Sequence, residues 1–95
     1  MLTTVSTTQL DEAARTALLT RLRSIEGQAR GIRRMLEEGR DCQAVMDQLA
    51  ALRAAAHAAS IQALEDFALH CLHTPGAAPE QVVTQLVSTA ARLTR

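Results

Sequence analysis

Tryptophan, tyrosine and lysine are absent from this 95-residue chain, and Phe67 is its one phenylalanine. Alanine and leucine dominate in their place, a composition that favours helix over sheet. The four glycines and two prolines are scarce, and the prolines stand between periodic segments rather than within them. No stretch approaches the roughly 18 apolar residues of a membrane-spanning helix. The opening MLTTVSTTQL lacks the basic-then-apolar pattern of a secretion signal. A soluble, cytoplasmic protein is expected. In that compartment two cysteines are more readily reduced thiols than a structural disulfide.

The formal net charge is zero, which argues against a generic nucleic-acid binder. The distribution says more than the total. All ten basic residues are arginine, and eight of them lie between Arg15 and Arg53 against five acids in the same span. That leaves a local excess of three positive charges.

Hydrophobic periodicity predicts three helices in a single domain, residues 11–95, behind a polar, Thr-rich and flexible arm, residues 1–10. Leu18, Leu22, Ile25, Ala29, Ile32 and Leu36 recur at spacings of four and three. Gly39 suits the position just past a helix, and Asp41 suits the cap of the next. The second helix is expected from Cys42 to about His73, with a seam at Val45, Leu49, Leu52, Ala56, Ala59 and Ala63. TPGAAP stops it, and Pro79 opens a short third helix carrying Val82, Val83, Leu86, Val87, Ala90 and Leu93. The second helix would be roughly 48 Å long, whereas a compact globule of this size has a radius of gyration of about 12 Å. No single chain covers it, so an oligomer is expected.

Cys42 and Cys71 are 29 residues apart. On a helix they return to within roughly 20° of one face but stand about 43 Å apart along the axis. They meet only if the helix pairs antiparallel with its copy, about a dyad near Ala56 and His57. Cys42 of one chain then lies beside Cys71 of the other. The small residues of RAAAHAAS fall at that crossing. The plain alternative is two small buried hydrophobes in a helical assembly module. A thiol enzyme is disfavoured, because no catalytic base or anion-binding loop accompanies the cysteines.

The segment RLRSIEGQARGIRRMLEEGRDCQAVMDQLAALRAA, followed by LEDFALHC, resembles the copper-sensing operon repressor (CsoR-like) family of bacterial regulators, without gaps from about Leu18 to Leu72. The resemblance implies a three-helix protomer, a dimer built on antiparallel helices, and a flat tetramer that binds operator DNA until an inducer reaches the cysteines. In copper-sensing members a histidine one turn before the second cysteine completes the site. Phe67 stands there instead, and phenylalanine has no lone pair to donate. His70 projects roughly 80° from the direction of Cys42, His73 is near the helix end, and His57 is near the dyad. A set of Cys42, Cys71 and His70 for Cu(I) remains the alternative. The chain is most similar to the persulfide-sensing (CstR-like) branch, which keeps both cysteines and lacks the histidine. That similarity implies no cofactor, and a persulfide or polysulfide as inducer. Formaldehyde-sensing relatives lack a cysteine matching Cys71.

On helix 1, Arg23, Arg30 and Arg34 fall within roughly 40° of one line, with Arg15 and Arg33 flanking it. A solvated face is the plain explanation. The resemblance implies operator contacts by Arg21, Arg23, Gln28, Arg30 and Arg53. Ala58 stands where the family often places another basic residue. There is no helix-turn-helix signature.

Overall fold

A computed structural model describes residues 5–74, 76 and 78–94. A 3-10 turn at Thr7–Gln9 precedes three helices: α1 (Glu12–Glu37), α2 (Cys42–Leu72) and α3 (Pro79–Leu93). No strand occurs among the described residues. The fold is all-α, as composition and periodicity predict.

The helix ends follow from single residues. The Asp11 carboxylate accepts from the Ala14 N–H at 3.3 Å and so starts α1. Gly39 ends it with φ of 69°, a left-handed conformation that costs glycine little and other residues more. The Arg40 N–H then donates to the Met35 carbonyl at 2.9 Å, and the Gly39 N–H to that of Leu36 at 3.2 Å. These two bonds satisfy carbonyls that the helix itself cannot. Asp41 at once caps α2, accepting from the Ala44 N–H at 3.1 Å. So short a link folds α2 back along α1. Pro79 opens α3, where its missing N–H removes no helical bond.

The arm expected to be flexible divides. Residues 1–4 lie outside the described residues. Residues 5–10 form a turn: the Ser6 hydroxyl accepts from the Thr8 N–H, and the Gln9 side chain accepts from the Ser6 N–H at 2.8 Å. This reciprocal cap supplies the local order that the polar composition did not suggest. Val5 and Leu10 border a cavity shared with Leu18 and Phe67.

One protomer does not close its own core. Among the described residues only Ile32, Val45, Ala59, Cys71 and Val82 are buried, whereas Leu22, Leu36, Leu49 and Leu72 are 41–66% exposed. Apolar residues surround α2 with no single stripe, the pattern of a helix covered on several sides. The accessible surface is 6947 Å², against about 5,300 Å² for a compact monomer of this mass. The radius of gyration is 17.1 Å and the long extent is 56 Å. Leu18, Leu22, Ala56, Ser60 and Ala63 border one open apolar trough along the α1–α2 hairpin. Burying such leucines is worth about 1.5–3 kcal/mol each, and only another chain is placed to do it.

In sedimentation the protein is expected well above its 10.2 kDa chain mass. Leu49→Asp, which sets a charge in that apolar surface, is expected to lower both the assembled mass and the helix content. A wild-type chain that sediments as a monomer with full helicity would contradict this.

Candidate functional site

Cys42 is the first residue of α2 and is exposed. Asp41, beside it, accepts from the Ala44 N–H and brings a negative charge of its own. Cys71 lies one residue from the other end and is 6% exposed. Burial pushes its pKa above the ordinary 9.0, so at neutral pH it is a thiol. With α2 continuous from Cys42 to Leu72, the two sulfurs share a face and stand about 43 Å apart. Within one chain they do not meet.

Phe67 is half-buried one turn before Cys71. On one side it borders a cavity with Leu64, Thr89 and Leu93, and on the other a cavity with Leu10 and Leu18. It is thus a wedge between α2, α3 and the arm. The histidines lie elsewhere. His70 and His73 border a cavity of about 520 Å³ with Asp11, Ala14 and Asp66, where α1 begins and α2 ends. His70 projects about 100° round the helix from Cys71. His57 is exposed at the middle of α2, beside Arg53 and Ser60. Among the described residues of one protomer, no three His, Cys, Asp or Glu side chains come together in a group able to hold a metal ion.

Arg21, Arg23, Gln28, Arg30 and Arg53 are all exposed. Arg21, eleven residues before Ile32 and so near the direction of the apolar seam, nonetheless reaches solvent. The one ion pair among the described residues joins Arg33 to Glu37 at 3.7 Å on the surface. The other arginines of α1 therefore hold no internal carboxylate and are free to meet phosphates.

Of the two thiols that the plain alternative would bury, only Cys71 is buried, and the seat of Val5 and Leu10 beside Phe67 carries no signal in the sequence. Val82 was legible only as one of several apolar residues of α3. Its burial to the same 6% as Cys71 sets it apart.

A family described as metal-sensitive transcriptional repressors matches residues 14–93 of the chain. The protein belongs to this family, whose members are transcriptional repressors and not enzymes, bind operator DNA and act as oligomers. It is 35% identical over 77 residues to the copper-sensing transcriptional repressor CsoR of Bacillus subtilis, covering 79% of this chain and 76% of that protein. It is 40% identical over 52 residues to the copper-sensing repressor RicR of Mycobacterium tuberculosis, covering 55% and 54%. A solved variant of the formaldehyde-responsive regulator FrmR from Salmonella enterica superposes with a TM-score of 0.73 at 27% identity, covering 88% of this chain and 94% of that one. No helix among the described residues is long and apolar enough to cross a membrane.

Two measurements check the site. In a Cys42→Ala protein the alkylation rate of Cys71 is expected to rise with a half-point above pH 9.0 and to fall back to the ordinary range when the chain is unfolded. For operator binding, Arg23→Gln is expected to reduce the slope of log affinity against log salt by about one. An unchanged slope removes Arg23 from the interface.

Proposed function

We propose that this cytoplasmic repressor leaves its operator when a persulfide or polysulfide donor joins Cys42 of one protomer to Cys71 of its partner through a disulfide or a longer sulfur bridge. The active unit is a dimer of antiparallel protomers, assembled in pairs as a tetramer. No cofactor takes part. Phe67 carries this proposal. It stands one turn before Cys71 on the face where a third donor would reach, and it makes that face apolar. A charged metal complex without a full donor set is disfavoured there. What the chain offers instead is a pair of thiols on one face of one helix.

The thiols divide the work by position. Cys42, exposed in the first turn of α2, attacks the sulfane sulfur. Cys71, protonated and buried, resolves the product. Arg21, Arg23, Gln28, Arg30 and Arg53 hold the DNA backbone, with sequence read through the shape and stiffness of the duplex.

The second function this chain supports is Cu(I) sensing. CsoR and RicR are copper-sensing by name, and two thiolates alone bind Cu(I) linearly. His70 would be the third ligand. It borders the cavity with Asp11 and Asp66 rather than the face of the thiols, which favours sulfur over copper.

Intact mass under denaturing, non-reducing conditions separates the two. After treatment with inorganic polysulfide the 10.2 kDa chain is expected to double in mass, with any addition in steps of sulfur, all lost on reduction. In parallel, operator binding is expected to fall, and Cys42→Ala and Cys71→Ala proteins are expected to remain bound. An unmodified chain that binds Cu(I) tightly and then releases DNA would establish the copper alternative.

A further inference from the structure

α3 runs back along the C-terminal half of α2. Leu93 borders one cavity with Arg53 and His57 and a second with Ala63 and Phe67, and Ser60 belongs to both. Leu93 is therefore level with Ser60. From Ser60 to Cys71 is eleven residues, and from Leu93 back to Val82 is also eleven. Eleven residues are about three turns and about 16 Å of rise. Each step returns to the same face at the same distance along its helix. Val82 thus comes level with Cys71, on the side of α3 that meets α2.

Burial agrees with this register. Val82 and Cys71 are each 6% exposed, whereas Val83 and Val87, on other sides of α3, are 54% and 63% exposed. Cys42, on the same face of α2 as Cys71 but at the end α3 does not reach, is exposed.

We propose that α3, through Val82, is a selectivity lid on Cys71, withholding this thiol from small reagents in solution and yielding it only to sulfur delivered by Cys42 of the partner protomer. The delivery half of this proposal rests on the persulfide switch above. In its first step the Cys42 thiolate attacks the outer sulfur of a persulfide RS–SH, forming Cys42–S–SH and releasing RS⁻. In its second step Cys71 loses its proton to water, and its thiolate attacks the Cys42 sulfur, expelling HS⁻ and leaving the disulfide. Electrons balance, because the donor's sulfane sulfur leaves reduced as hydrosulfide. The lid fixes the order: Cys42 alone samples the solution, and the second step waits on displacement of Val82. The inducer is selected at Cys42 only, and a reagent reaching one protomer cannot consume both thiols.

The test uses iodoacetamide on the full-length protein, with Cys42→Ala and Cys71→Ala variants isolating each thiol and mass spectrometry reading the rates at one pH. Folded Cys71 is expected to react at least about tenfold more slowly than folded Cys42, and both at similar rates in denaturant. Adding Val82→Ala is expected to speed Cys71 by about fivefold or more and to leave Cys42 unchanged. If Val82→Ala loses helix content, Val82→Ile takes its place and must change the Cys71 rate alone. A Cys71 as reactive as Cys42, or one indifferent to residue 82, overturns the lid. No sulfur donor enters this experiment, so its failure is separate from a failure of polysulfide to join the chains.

Discussion

Everything in this molecule depends on one helix being longer than its own chain can cover. α2 runs for 31 residues, while α1 shields one side of it and α3 shields only the C-terminal half of another. The surplus apolar surface is not an imperfection of packing. It is the unfinished half of an interface, laid out along the α1–α2 hairpin from Leu22 to Ala63. Hydrophobic burial, which in most domains of this size is satisfied internally, is here deferred to association. Folding and assembly are then one equilibrium, and stability depends on protein concentration.

The same constraint decides where chemistry takes place. A rod-like helix keeps its two thiols apart more securely than any loop would. In the proposed antiparallel dimer symmetry brings the unlike ends together, so the proposed site exists only in the assembled state. Within it the two sulfurs are unequal. Cys42 lies open beside a capping carboxylate, and Cys71 is neutral and enclosed. Phe67, one turn before Cys71, lies between α2, α3 and residues 5–10 and has no lone pair to offer a metal. Replacing it with a polar residue would alter packing and chemistry together.

Much of the architecture was legible in the sequence because it is set by local rules. Gly39, Asp41 and Pro79 each act within a few residues of themselves, and the helix ends fall where their conformational preferences put them. The length of α2 was legible for the same reason, and with it the need for a partner. That Cys71 is buried while Cys42 is exposed was not legible. Periodicity in α3 shows an apolar side without saying what that side meets. The order in residues 5–10 was hidden likewise, since Ser6 and Gln9 read as polar filler until their reciprocal bonds are seen. His70 sits close to Cys71 in sequence, but the helix turns it toward Asp11 and Asp66 on the far side.

The unbroken run of α2 between its cysteines also limits how the gene can change. One residue inserted or deleted there would turn Cys71 by about 100° and carry it off the shared face. Seven residues inserted on one side of the alanine-rich middle would nearly restore the face. They would also shift the midpoint between the thiols by about 5 Å, away from the only stretch slim enough for two backbones to cross. In the proposed dimer α2 is a ruler, and its tolerance for substitution is wide where its tolerance for length is almost nil.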